Sequence, residues 1–336
     1  MNIFLIGGTG LLGCDAARMF IEQGHKVKSI ALPPVPEGVE LPEGMELTFG
    51  SYLDFSDDDY REFFKDCDCF IFAAGIDDRV ELPPPIYDEY VKYNIKPIDR
   101  IMTIAKECGV KKAVILGSYF SYFAKKFPEM ELTKKHPYIR SRIEQEKTAL
   151  KFAEDGKMDV AVLELPYIFG TQPGRKPVWV ILVEQIANMP KVTLYPKGGT
   201  TMVTVRQVSQ AIVGAATKTK GGVAYPIGYY NLTWDELLKI VHEEMGFKNR
   251  KIIHIPKWMF KMYGKKLKKE YEEKNLEPGL NPIDLADIMC MEAFIDKKWS
   301  EMLGVTEDDI ESAIRDSIAL SVEAMKGKEL IGMKAE

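Results

Sequence analysis

The sequence has 336 residues, 46% hydrophobic and 28% charged, enough apolar material for a large core and, at roughly 150 residues per domain, for about two domains. Lys and Arg total 45 against 50 Asp and Glu, a net charge of −5. That balance argues against a nucleic-acid binder, and no run approaches the roughly 18 apolar residues that a membrane span needs.

Five scattered cysteines and four isolated histidines show neither a disulfide framework nor metal-ligand spacing, which points to a reducing, cytoplasmic setting and no metal. The apolar start, Met1 to Gly13, has no basic lead-in and is broken by glycines, so it reads as a buried strand entering a turn. Strands are expected at Asn2–Ile6, Lys26–Ala31, Met45–Phe49, Cys69–Ala74, Ala113–Gly117 and Asp159–Leu165. Their consecutive Ile, Val, Phe and Leu fit burial on both faces. Helices are expected between them at Leu11–Gln23, Ser56–Lys65, Tyr87–Cys108 and Pro137–Glu154, with Ser56 as an N-cap followed by three aspartates. This alternation predicts an α/β, Rossmann-type, doubly wound parallel sheet over residues 1–165. After Pro166 the texture changes, and residues 166–330 are assigned mainly to a smaller α/β substrate-binding domain, with segments interleaved. Capping-box patterns open helices at Thr233 and Thr306, and the lysines of 256–275 read as a solvated helix face.

The first strand runs into Gly7-Gly8-Thr9-Gly10-Leu11-Leu12-Gly13 and then a helix. Glycine lets the backbone turn tightly and approach a pyrophosphate, and the helix start offers free N–H groups to phosphate. A dinucleotide is therefore expected. The position near the end of the second strand that would hold an acid for the ribose of NAD falls at Ala31. Without that carboxylate nothing repels a 2′-phosphate, which weighs toward NADP, with NAD the alternative.

Several ordered segments resemble one family. They are Ile6 to Gly13, Ile71-Phe-Ala-Ala-Gly75, Tyr93-Asn94, Val110 to Ser118, Pro137 to Arg142, Leu165-Pro-Tyr-Ile-Phe-Gly170, Asn231 to Leu237 and Ala293-Phe-Ile-Asp296. Together they resemble the extended short-chain dehydrogenase/reductases, which include sugar-nucleotide epimerases and dehydratases. The resemblance implies cofactor contacts at Gly7, Gly8, Thr9, Gly10, Leu11, Leu12, Gly13, Ala31, Ser51, Ala73, Ala74, Gly75, Asn94, Tyr138, Arg142 and Pro166. It also implies a catalytic tyrosine with a lysine four residues on, and a hydroxyl at the end of the fifth strand.

The tyrosine is Tyr138, but the fourth residue on is Arg142, and the family's hydroxyl position falls on Tyr119. A phenol near pKa 10 needs an adjacent cation to work as acid and base, and spacing i, i+4 puts both groups on one helix face. Arginine keeps the charge but not the proton exchange. Tyr138 is thus the expected acid–base, Arg142 its cation and ribose anchor, and Ser118 or Ser121 the polarising hydroxyl. Tyr119, Tyr122, Tyr167 and Trp179 form an expected aromatic substrate wall, and Arg175 is placed to bind an anionic group such as a nucleotide diphosphate.

The resemblance also implies a homodimer built on the helices Tyr87–Cys108 and Pro137–Glu154, whose apolar positions are Tyr90, Val91, Ile98, Ile101, Ile139, Ile143 and Leu150. The expected function is NAD(P)-dependent oxidation, reduction or epimerisation at a hydroxyl or carbonyl of a small molecule, a sugar nucleotide or an apolar ring alcohol. The two departures motivate the alternative, a dinucleotide-binding sensor that has lost catalysis.

Overall fold

In the computed structural model, which describes residues 1–332, the chain opens with β1 (Asn2–Ile6), α1 (Leu11–Glu22), β2 (Lys26–Ala31) and β3 (Glu46–Phe49). Then come α2 (Asp57–Phe63), β4 (Cys69–Phe72), a two-residue β5 (Glu81–Leu82), α3 (Ile86–Tyr90) and α4 (Lys96–Glu107). The next stretch holds β6 (Lys112–Ser118), α5 (Tyr119–Lys126), the short α6 (Leu132–Lys135), α7 (Pro137–Leu150) and β7 (Asp159–Leu165). From residue 167 the elements mix: β8 (Tyr167–Phe169), α8 (Val180–Ala187), β9 (Thr193–Pro196), β10 (Gly199–Thr204), α9 (Val205–Lys218) and β11 (Gly222–Pro226).

Seven parallel strands make one sheet in the order β11-β7-β6-β4-β1-β2-β3. The chain reverses its direction of winding between β4 and β1, so a crevice opens beyond their carboxyl ends, where such sheets bind ligands. The strands are buried on both faces because helices cover both. Ala16, Ala17 and Phe20 of α1 pack with Ala211, Ile212 and Ala215 of α9 on one side. Tyr60 and Phe64 join Phe4 and Phe70 with Ile98, Ile101 and Ala149 on the other. Each fully buried large side chain in these layers contributes about 1.5–3 kcal/mol of transfer free energy.

One expected element is divided. The helix read as Tyr87–Cys108 is α3, then a π-helical turn over Val91–Ile95, then α4. The physical reason is Pro97, which has no N–H to give to the carbonyl four residues back and so releases Tyr93 O. The released carbonyls find other donors: Tyr52 OH gives to Tyr93 O at 3.0 Å and Gln145 Nε2 to Asn94 O at 2.9 Å.

The rest of the chain forms a smaller mixed layer. It contains β12 (Tyr230–Thr233), α10 (Trp234–Glu244), β13 (Ile252–Ile255), α11 (Lys257–Glu273), β14 (Glu277–Pro278) and α12 (Ala286–Met289). It ends with β15 (Glu292–Ala293), α13 (Lys298–Met302) and α14 (Ile310–Met325). Strand β10 pairs with β12, β15 and β8, and β9 with β13. Ser56 and Thr233 cap their helices reciprocally, as their patterns predict. Thr306 does not: α14 starts four residues later, with Asp309 accepting from Ser312 N at 2.9 Å. Thr306 is held elsewhere, its N–H on Gln210 Oε1 and its carbonyl under Gln207 Nε2.

The apolar positions on which a dimer was expected are largely covered within the chain, since Tyr90, Ile98, Ile101 and Ile139 are all fully buried. The outward side of α7 beside α3 instead carries Arg140 stacked on Tyr87 at 3.8 Å, with Glu144 bonded to both. Among the described residues no helix is long and apolar enough to cross a membrane, and no group of three or more His, Cys, Asp or Glu is placed to hold a metal ion. All five cysteines are free.

Candidate active site

The glycine-rich turn lies at the carboxyl end of β1. Gly7 has φ +100°, and a Cβ on it would stand 2.4 Å from Ala73 O, so only glycine lets β1 lie this close to the end of β4. A Cβ on Gly13 would stand 2.2 Å from Gly7 O, which ties the start of α1 to the turn. Helix α1 begins at Gly10 with no side-chain cap and no acid in its first turn. Five other helices are capped by the side chains of Ser56, Ser118, Thr204, Thr233 and Asp309. The uncapped N–H groups and the partial positive charge at this start, beside the glycine-rich turn, suit a pyrophosphate, so the residues present fit a dinucleotide.

Ala31 closes β2 in a buried position, with no acid beside it on the strand. Ser51 is partly buried and accepts from Leu53 N at 3.2 Å. Ala73, Ala74 and Gly75 follow β4 along the crevice, and Pro166 links β7 to β8. Cys14 is buried, and burial raises its thiol pKa, so it packs under the turn as a neutral group.

Arg175, expected beside the substrate, lies at the cofactor end. Its Nη2 donates to Thr9 O at 3.1 Å, alongside Gln172 Nε2 at 3.2 Å, and its Nε holds Gln172 Oε1 at 2.7 Å. The loop carrying it is latched by Ile331, whose N–H donates to Gly174 O at 2.8 Å and whose carbonyl takes Lys176 N–H at 2.9 Å.

The second half of the site is built on side chains. Tyr138 sits in the first turn of α7, 4% exposed, and Arg142 one turn later, 7% exposed. Spacing i, i+4 brings the guanidinium over the phenol ring, 5.0 Å from its centroid. On balance the Tyr138 pKa is raised above the ordinary phenol value: burial raises it most, the Arg142 charge pulls it down, Asp78 and Asp77 push it up, and Ser118 lowers it. Ser118 ends β6 and caps α5, accepting from Phe120 N at 3.4 Å. Ser118, not Ser121, is the hydroxyl beside Tyr138; Ser121 is buried one turn further along α5.

Arg142 is anchored inward. Nη1 gives to Gln145 Oε1 at 2.8 Å and Nη2 to Ile76 O at 3.2 Å, while Nε is buried with no partner. Asn94 is fully buried and grips the same backbone: Ile76 N gives to its Oδ1 and its Nδ2 to Ile76 O, both at 2.9 Å. A Cβ on Gly75 would stand 2.3 Å from that Oδ1. Asn94 therefore fastens the loop after β4 to the π turn.

Of the aromatic wall, Tyr119 and Tyr167 pack together at 6.1 Å, and Tyr119 OH takes a hydrogen bond from Thr200 Oγ1 at 3.2 Å. Trp179 stacks on Phe169 at 4.1 Å and spends its N–H on Ile168 O, while Tyr122 lies outward under Lys126.

The architecture agrees with the comparison that decides the family. The model of the NAD dependent epimerase/dehydratase family matches residues 3–228. The chain belongs to this family. No curated protein matches it. Solved structures share the fold across nearly the full length. The protein gox2253 is 20% identical with a TM-score of 0.72, the match covering 96% of this chain and 98% of that one. A UDP-glucose 4-epimerase from Thermotoga maritima, solved with UDP-glucose, is 16% identical with a TM-score of 0.66, covering 97% and 100%. A UDP-glucuronic acid 4-epimerase variant from Bacillus cereus, solved with a fluorinated UDP-glucuronic acid and NAD, is 12% identical with a TM-score of 0.68, covering 96% and 100%.

Sequence reasoning missed the triplet Asp77-Asp78-Arg79 on the loop after β4. Arg79 pairs with Asp77 through its guanidinium and donates its backbone N–H to Asp77 Oδ1 at 3.0 Å. Asp78, partly buried, is pushed up to about 6, first by burial and then by Asp77. No spacing rule singles out this loop. It also missed Gly279, whose carbonyl takes Tyr138 N–H at 3.0 Å and whose missing side chain leaves room for Tyr90 OH.

Proposed function

We propose that this member of the epimerase/dehydratase family is an NAD(P)-dependent oxidoreductase or epimerase that works at a ring hydroxyl or the corresponding ketone of a small molecule. The observation that carries the reading is the convergence of Ser118, Tyr138 and Arg142 at the sheet edge that also holds the glycine-rich turn. The sugar nucleotides named with the structural neighbours make a nucleotide-linked sugar the leading substrate class.

When bound, the dinucleotide supplies the acceptor for the hydride that leaves the carbinol carbon, and the donor for its return. The protein's part is proton handling and positioning. Tyr138, as phenolate, takes the hydroxyl proton as the C–H bond breaks and the carbonyl forms, and gives it back on reversal. Ser118 holds the substrate oxygen by a hydrogen bond that strengthens as charge develops. The fixed positive charge of Arg142 favours the phenolate in a buried site where burial alone opposes it. Because both Nη atoms of Arg142 bond within the protein, its role here is charge beneath the tyrosine more than a ribose contact. With no acid at Ala31, a 2′-phosphate meets no repulsion, and the site should accept NADP as well as NAD.

Fluorescence titration with NADH and NADPH, followed by a turnover assay over sugar nucleotides and ring alcohols, tests this reading. Dinucleotide binding with turnover that Tyr138→Phe abolishes supports it. Binding with no turnover across the panel favours the sensor, the reading motivated by arginine standing where the family has lysine.

A further inference from the structure

Helix α11 is fixed on one side and uncovered on the other. Its inner stripe is Phe260, Gly264, Leu267 and Tyr271, at helical spacing, and a Cβ on Gly264 would stand 2.3 Å from Pro282 O. Lys257 and Lys261 reach back to Asp287 at 2.9 and 3.0 Å, and Tyr271 OH donates to Glu81 Oε1 at 2.7 Å. With the helix held this way, Trp258, Met259, Met262 and Tyr263 stand on the far side, 61%, 39%, 60% and 53% exposed. Positions i, i+1, i+4 and i+5 make one apolar patch over the first two turns, and the next two turns carry Lys265, Lys266 and Lys269 on the same side.

Large apolar side chains clustered in water mark a surface that something else covers, and the charge around these four says what. From Ile252 to Lys269 the chain has six lysines and no acid, in a protein whose net charge is −5. Among the described residues Lys265 forms no ion pair. Lys266, Lys268 and Lys269 meet Glu270, Glu272 and Glu273 one turn on, at 3.8, 3.8 and 3.7 Å, exposed contacts that hold the lysines only weakly. A second copy docked by the same patch would set lysine against lysine, because no acid between 252 and 269 can receive them. A bilayer with anionic headgroups suits both halves of the face, and Trp and Tyr are the side chains that favour the boundary between lipid and water.

We propose that α11 is a membrane-surface helix, by which the protein binds the face of a bilayer containing anionic phospholipids. Trp258, Met259, Met262 and Tyr263 enter the headgroup region, and Lys265, Lys266 and Lys269 lie against the anionic headgroups. The helix rests in the interface and does not span, since its 17 residues are interrupted by lysines throughout. A short apolar patch with a few charges gives reversible, salt-sensitive attachment. None of these side chains belongs to the glycine-rich turn or the surroundings of Tyr138, so the attachment is expected whether or not the cleft turns over a substrate.

The experiment sediments the full chain with vesicles of phosphatidylcholine alone, and with vesicles in which about one-third of the lipid is phosphatidylserine. The wild type is expected to bind the anionic vesicles about tenfold or more tightly than the neutral ones, and to be released at about 0.5 M salt. Tryptophan emission should shift to the blue on binding, and Trp258→Phe should remove that shift while most of the sedimentation remains. Met262→Glu should abolish binding. Lys265→Gln with Lys269→Gln should weaken it by about 25-fold, about fivefold for each charge. Melting temperature and NADH affinity should not change in any of these variants, whose altered side chains are all exposed. A wild type left in solution by anionic vesicles, equal binding to neutral ones, or binding indifferent to Met262→Glu overturns the proposal. A dimer seen by sedimentation velocity without lipid, and abolished by Met262→Glu, assigns the face to a second copy and overturns it as well.

Discussion

At the end of the cleft proposed for the cofactor, the groups on offer are backbone atoms of the glycine-rich turn at an uncapped helix start, where the contacts at Gly7 and Gly13 admit no side chain. At the Tyr138 end they are side chains from α3, α5, α7 and the loop after β4, fixed by hydrogen bonds between elements distant in sequence. Backbone recognition depends on conformation, and so a relative can change many side chains without disturbing it. Side-chain chemistry tolerates no such drift, and there the chain carries Tyr119 and Arg142 where the resemblance implies a hydroxyl and a lysine. One fold thus holds a half-site built on backbone and one built on side chains.

The sharpest way to break that contrast is to disturb each end and read both. Tyr138→Phe should lower kcat/KM by about 10³-fold and leave NADH affinity unchanged in a fluorescence titration; a parallel loss of NADH binding would show the ends are not separable. Gly13→Val should do the reverse, abolishing NADH binding by driving a side chain into Gly7 O, a backbone clash found at 2.2 Å for the first carbon alone. Within the tyrosine end, Ser118→Ala should cost roughly 10²-fold in kcat and Ser121→Ala nothing measurable. Equal losses would return the assignment to its unresolved state.

Arg142→Met sharpens the electrostatic part. The Arg142 charge lowers the Tyr138 pKa against burial, so its removal should move the rise of kcat/KM to higher pH, as read from a pH–rate profile. The smallest effect concerns stability. Glu164 on β7 is 1% exposed and pushed up to about 8, chiefly by burial, although Lys125 stands 3.1 Å away. A carboxyl whose folded pKa lies above its unfolded one stabilises the fold most when protonated, and that contribution declines as pH rises from about 4.5 toward 8. Glu164→Gln mimics the protonated form, so it should match the wild type near pH 5 and exceed it by about 1 kcal/mol near pH 8 in denaturant unfolding.

The sheet was legible because its signals are local. Uninterrupted apolar runs such as Cys69 to Phe72 mean burial on both faces, and the Gly7–Gly13 spacing needs only its own neighbours to carry meaning. The π turn was hidden because Pro97 acts on the Tyr93 carbonyl four residues earlier, and the donors to that carbonyl and to Asn94 O, Tyr52 and Gln145, come from far along the chain. Arg175 read as an anion ligand because its charge was visible and its attachment to Thr9 was not. Asp78 gave no signal at all, since three charged residues on a loop usually mean solvent.

The latch at Ile331 ties the two extremes of the described chain together. The glycine-rich turn follows the first strand of the sheet, yet the loop that covers Thr9 is pinned by a residue that comes after every strand of the main sheet in sequence. Closing so long a loop adds little entropic cost beyond that of a shorter one, but it sets an order of events. The segment that carries Thr9 is made long before the residue that pins its cover, so the grip on Thr9 is finished only after the chain has been extended through Ile331.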